Sequence, residues 1–224
     1  LPLNLLKFNV HFSRSMSELA YENVNLLDDD GQIIDRAILK EIPELWNEDR
    51  TQLTVWIEPG RIKRGLGPNQ ILGPVLEEGE MYTLTISDQQ KDRDGVSIES
   101  VYTKEFKAVT ADRTKPLFDD WKIEQINLET GTGIKINFNE VMDIGSAATA
   151  FVVEGVKGSW SMLPGERAII FIPEVAIGPG EYTIHVNPAI EDLAGNNLLR
   201  TFDRDINHDN ELQKKVFAMS ITLK

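Results

Sequence analysis

The chain holds 224 residues with 23 Lys and Arg against 36 Asp and Glu, a formal charge of −13. A surface of that sign repels phosphate backbones, which weighs against nucleic acid and favours neutral or cationic partners such as a glycan, a protein surface or a divalent metal. With no cysteine there is no disulfide, thiolate metal site or Cys nucleophile, and no run approaches the roughly 20 apolar residues of a membrane-spanning helix.

The start, Leu1-Pro2-Leu3-Asn4, has neither Met nor a signal-like apolar stretch, as expected of a mature or trimmed form. Phe8, Val10 and Phe12 then alternate with Asn9 and His11, the period of a strand with one buried face. Leu53, Val55 and Ile57 alternate in the same way with Thr54 and Trp56. Turn residues separate such segments, as at Asp28-Asp29-Asp30-Gly31 and Gly178-Pro179-Gly180. Short strands with this punctuation predict an all-β fold, a sandwich rather than a parallel α/β sheet.

Four signatures occur twice in one order. Phe8 to Met16 returns as Ile134 to Met142, and Leu53-Thr54-Val55-Trp56-Ile57 returns as Ala168-Ile169-Ile170-Phe171-Ile172. Gly79-Glu80-Met81-Tyr82-Thr83-Leu84 is answered by Gly180-Glu181-Tyr182-Thr183-Ile184, and Asp92-Arg93-Asp94-Gly95 by Asp192-Leu193-Ala194-Gly195. Repetition in one order predicts two copies of a module, expected over residues 1–112 and 113–224. The short junction near 110–116 contains Pro116, so a restricted hinge is expected between them.

The first copy carries an insertion over about 61–75, basic at its start with Arg61, Lys63 and Arg64. Long loops are where function is often grafted. These three cations are therefore candidate ligand contacts, while Ile62, Leu66, Ile71 and Leu72 are expected to fold down as an apolar flap. At the other end, Phe217, Met219, Ile221 and Leu223 alternate with Ala218, Ser220 and Thr222. This last strand is expected to lack a counterpart in the first copy and to add to a sheet edge.

Phe12-Ser13-Arg14-Ser15-Met16, Phe138-Asn139-Glu140-Val141-Met142, the Gly-x-Tyr-Thr strand at 180–183 and Asp192-Leu193-Ala194-Gly195-Asn196 resemble the motifs of bacterial Ig-like modules of the S-layer (SbsA) type. The resemblance covers most of residues 8–110 and 121–205. It implies two tandem Ig-like β-sandwiches on an extracytoplasmic protein, in the periplasm, on the cell surface or secreted, with a spacer, surface-layer or adhesive role. Gly95-Val96 departs from the family's Gly-Asn. Physically, Met16 and Met142 fit the gap where a strand leaves its sheet, and Asp92 and Asp192 suit a tight turn that needs Gly95 or Gly195.

Chemistry-bearing groups are sparse. Asp203, Asp205, Asn207 and Asp209 place oxygens at alternate positions, as calcium loops do, which makes calcium the candidate cofactor and a calcium-stabilised interaction module a further alternative, although His208 and Lys214 stand where such a loop wants Gly and Glu. His11, His185 and His208 lack zinc spacing, and no Gly-x-Ser-x-Gly elbow occurs. No enzymatic activity is therefore expected, although a facing pair of carboxylates would require a hydrolase reading. Trp46, Trp56 and Trp160 offer flat faces for sugar stacking, which makes a carbohydrate-binding surface protein the main alternative to a structural or adhesive module. For Trp56 the competing expectation is a ring packed beneath the insertion.

Overall fold

The computed structural model describes residues 1–18, 20–129, 131–203 and 215–224. It is all-β, and the chain divides into two compact units, Leu1–Asp112 and Arg113–Lys224. Each is an Ig-like β-sandwich.

In unit 1, β1 (Lys7–His11), β3 (Leu45–Trp46) and β4 (Gln52–Trp56) form one antiparallel sheet in the order β1-β4-β3. The other contains β2 (Val24–Leu27), β5 (Met81–Ile86) and β6 (Tyr102–Lys107) in that order. Period-two alternation turns Val10, Leu53 and Val55 inward from the first sheet and Val24, Leu26, Tyr82, Leu84, Ile86 and Phe106 from the second. Ring contact between Phe8 and Phe106, 5.6 Å between centroids, ties the two layers together. Met16 is buried where the chain leaves β1, and its backbone N–H donates to the carbonyl of Arg50.

Unit 2 sets β7 (Lys122–Leu128), β8 (Gly131–Asn137), β10 (Gly158–Met162) and β11 (Ala168–Pro173) in the order β10-β11-β8-β7. Facing it are β9 (Phe151–Val153), β12 (Gly180–Val186) and β13 (Phe217–Leu223), ordered β13-β12-β9. Trp121, Phe138, Phe151 and Phe171 fill the core between Ile134, Ile136, Ile169, Ile184 and Phe217. Trp160 joins them partly buried, 5.0 Å from Phe151 and 5.1 Å from Phe171, so its ring serves packing. Gly158 is required there. A Cβ at that position would lie 2.5 Å from both the Phe171 ring and the Ile172 carbonyl oxygen.

Strand pairing corrects the alignment read from sequence. Val10 pairs with Leu53 and Phe8 with Val55, whereas Ile136 pairs with Ile169 and Ile134 with Phe171. Phe171 is thus the counterpart of Val55, and Trp56 corresponds to Ile172. A slip of one residue exchanges the faces of a strand, so an aromatic at Phe171 says nothing about the environment of Trp56.

The last strand is also corrected. Tyr82 pairs with Phe106 on β6, and Tyr182 pairs with Ile221 on β13. Strand β13 does add to a sheet edge, but it is the equivalent of β6. A longer connection in unit 2 displaces it along the chain and hides the correspondence.

Candidate functional site

The insertion begins with α1 (Pro59–Ile62), capped by the Glu58 side chain, which accepts from the Gly60 N–H at 3.0 Å. It continues through α2 (Gly67–Leu72). Arg61 is not at the surface. Its guanidinium is buried and donates to the carbonyl oxygens of Asp35 (2.7 Å), Pro74 (2.7 Å), Gly73 (3.0 Å) and Leu72 (3.3 Å). Four of the five N–H donors of the fork go to backbone carbonyls, so Arg61 staples the end of α2 to Asp35, and its buried guanidinium is committed to the scaffold. Burial lowers its pKa, against the opposing charges of Asp35 and Glu58. Lys63 is half-buried and Arg64 exposed.

The expected apolar flap forms only in part. Ile62 is buried, but Leu66 is 45%, Leu72 39% and Ile71 82% exposed. The helical turn of α2 separates these side chains onto a face that turns away from the core.

Of the three tryptophans proposed for sugar stacking, Trp160 packs in the core of unit 2, and Trp46 and Trp56 do not share a surface. Trp46 pairs across the strands with Leu53, which points inward, whereas Trp56 lies three residues further along β4 and points to the opposite face. Trp46 packs on Phe12 at 5.8 Å, carries the Arg50 guanidinium 4.9 Å above its ring, and donates from Nε1 to Glu44 at 2.7 Å. Trp56 is half-buried with the Lys7 ammonium 5.7 Å from its ring centre. Each ring already has a cation on it.

The Asp-to-Gly turns are built alike in both units. Asp92 Oδ1 accepts from the N–H groups of Asp94 and Val96, and Asp192 Oδ1 from those of Ala194 and Asn196. Gly95 at φ 81° and Gly195 at φ 78° complete the turn. Each Asp also bridges the buried Met of its unit, Met16 or Met142. The hydrogen bond from Val96, followed by Arg14 and Asp94, holds the Asp92 carboxyl below the usual carboxylate range. These carboxylates hold the turns together.

Of the alternating oxygen side chains, Asp203 has a side chain only 7% exposed and faces the Arg113 guanidinium at 3.5 Å. Asp205, Asn207 and Asp209 lie outside the described residues. The Glu166 carboxyl is pushed up by burial and then by the charge of Asp143. Asp143 is committed to capping α3 (Ile144–Ala147), its Oδ2 accepting from the Ser146 N–H at 2.7 Å. His185 meets Glu154 at 3.4 Å on the open surface.

A feature missed in the sequence is a cleft of about 580 Å³ in unit 2, lined by Arg113, Thr114, Lys115 and Leu117, by Asn139 and Glu140, and by Leu199, Arg200 and Thr201. Among the described residues three cations line it against the Glu140 carboxylate, which lies within 4.8 Å of that of Asp192. Arg113-Thr114-Lys115 reads as a linker in sequence, and only folding brings Arg200 beside it.

Residues 122–207 match the family model of the bacterial Ig-like domain. Comparison with curated proteins gave no match. No described helix is long and apolar enough to cross a membrane.

Proposed function

We propose that the chain is a pair of structural or adhesive Ig-like modules from an extracytoplasmic bacterial protein, unit 1 being a second copy of the module matched in unit 2. The observation that carries this is the shared turn: Asp92 and Asp192 make the same backbone hydrogen bonds and the same bridge to Met16 and Met142. Conserved geometry at a scaffold position, with the polar groups spent on the scaffold itself, fits a spacer or adhesive role rather than catalysis.

Protease treatment of intact bacteria producing the full-length protein tests the reading. Loss of the protein from whole cells, with a cytosolic marker spared, is expected. Retention with the cytosolic fraction would overturn it. Separately, purified protein is expected to show no turnover on chromogenic glycoside, ester and peptide substrates. Turnover that disappears in Glu166→Gln would move the protein to the hydrolases.

A further inference from the structure

We propose that the cleft of unit 2 binds a uronic-acid-bearing oligosaccharide, with Lys115 and Arg200 as its charge partners. Both line the cleft, both are exposed, and among the described residues neither side chain is paired with a carboxylate. That is unexpected where 36 acidic residues compete for 23 cations. Arg113 on the same wall does have a counter-ion, Asp203 at 3.5 Å, which orients it. Among the described residues the cleft therefore has one neutralised guanidinium, Arg113, and two cations, Lys115 and Arg200, without a carboxylate partner.

The remaining lining favours a sugar acid over a bare anion. Thr201 and Asn139 supply hydroxyl and amide groups that match a polyhydroxylated ring, and Leu117, 56% exposed, offers an apolar patch for its C–H face. The volume, about 580 Å³, falls within the ~300–1,000 Å³ of small-molecule sites. Glu140 repels a second carboxylate placed beside it, so a ligand with charges spaced by a ring fits better than a densely charged chain. Among the described residues no aromatic ring lines the cleft, so specificity comes from charge and hydroxyl contacts, and the affinity is expected to be modest and salt-sensitive.

The test is titration of the intact 224-residue chain with oligogalacturonate of defined length, followed by NMR shift perturbation or calorimetry. Binding at low salt is expected, with shifts confined to the cleft residues. The affinity should fall at least tenfold in the Lys115→Ala/Arg200→Ala double variant and at least tenfold for the methyl-esterified oligomer. An unchanged melting temperature of the double variant shows that its fold is retained, as expected for two exposed side chains. The Arg200→Lys variant, which keeps the charge, should retain most of the binding. Absent binding, equal binding by the ester or the double variant, or equal binding by oligoglutamate of the same length or by inorganic phosphate would each overturn the proposal. None of those outcomes touches the surface-module reading, which rests on the turns and is judged by protease accessibility.

Discussion

The turn after β12 and the turn after β5 solve one problem with different chemistry. In unit 2, Asn196 Nδ2 donates to Asp192 Oδ2 at 2.8 Å in a buried pair, and Asn196 Oδ1 accepts from the half-buried Phe202 N–H at 3.0 Å. In unit 1 the equivalent position is Val96, 57% exposed, and the second oxygen of Asp92 instead meets Arg14 at 3.3 Å from a side chain 69% exposed. The backbone half of the turn is kept and the side-chain half is replaced. Buried and water-excluded, the Asp–Asn pair is worth more than a rim contact that solvent screens. Unit 2 should therefore depend on its turn more strongly than unit 1.

The most damaging change should be Asp192→Ala. It removes the acceptor of the Ala194 and Asn196 N–H groups and of the Asn196 amide in a buried site. A cost of about 3–5 kcal/mol is expected from losing several hydrogen bonds to one buried carboxylate. Denaturant unfolding, read by amide exchange in each unit, should show the loss in unit 2. An equal or larger effect from Asp92→Ala in unit 1 would break the comparison.

Next is Arg61→Met, which tests a staple that only unit 1 has. Methionine roughly keeps the length but leaves the carbonyls of Asp35, Leu72, Gly73 and Pro74 without their donor. The expected loss is about 2–4 kcal/mol, using ~1.5–3 for hydrogen bonds to a charged group and allowing some carbonyls to reach water. Amide exchange should accelerate first in α2, with β4 and β5 following only near global unfolding. Uniform acceleration across the unit would show that the insertion is not a separable element.

The reciprocal swap sharpens the contrast between the turns. Asn196→Val should destabilise unit 2 by about 2 kcal/mol, through loss of the hydrogen bonds that the Asn196 side chain makes with the Phe202 N–H and with Asp192 Oδ2. Val96→Asn should stabilise unit 1 by about 0.5–1 kcal/mol, as an added partly exposed hydrogen bond. Equal and opposite effects would mean that burial is irrelevant at this turn.

How far sequence alone could see this depends on the range of the interactions. Period-two alternation exposed Val10, Leu53, Val55 and their faces, and the Asp-x-x-Gly pattern exposed both turns, because those signals are local. The one-residue offset between Trp56 and Phe171 was invisible, since pairing register is set by a partner strand distant in the chain. The equivalence of β13 with β6 was hidden in the same way by the longer connection before it. Arg61, Lys63 and Arg64 looked alike as a basic run, and only the fold shows that Arg61 points inward to carbonyls contributed by residues 35 and 72–74. The cleft needed Arg200 to meet the 113–115 segment. Chemistry assembled across the fold leaves little trace in a single sequence.

The smallest expected effect concerns the turn that leads into β4 and β11. Arg50 at φ 59° and Glu166 at φ 56° occupy equivalent left-handed positions, each giving its carbonyl to the Met N–H of its unit. Arg50 is compensated by the Trp46 ring and by an Nε bond to the Met16 carbonyl at 2.8 Å. Glu166 has a carboxyl raised above the ordinary 4.5 by burial and by Asp143. A raised carboxyl contributes stability that is present below the unfolded value and lost as pH rises through the folded one. Unit 2 should therefore gain stability on acidification from neutral pH towards the unfolded glutamate range. Asp92 in unit 1, with its carboxyl lowered, contributes above the unfolded value and loses that contribution only as the pH falls through its lower folded value. Glu166→Gly removes both the buried charge and the left-handed strain. It should stabilise unit 2 by about 0.5–1 kcal/mol at neutral pH, after the extra backbone entropy of Gly is set against the ~1–2 kcal/mol cost of a left-handed residue with a Cβ. Arg50→Gly should instead destabilise unit 1, because the stacking and the Nε bond go with the strain. Denaturation midpoints across pH 4–7 decide the matter: the Glu166→Gly advantage must shrink as the pH falls, and a pH-independent gain would mean that the backbone alone was responsible.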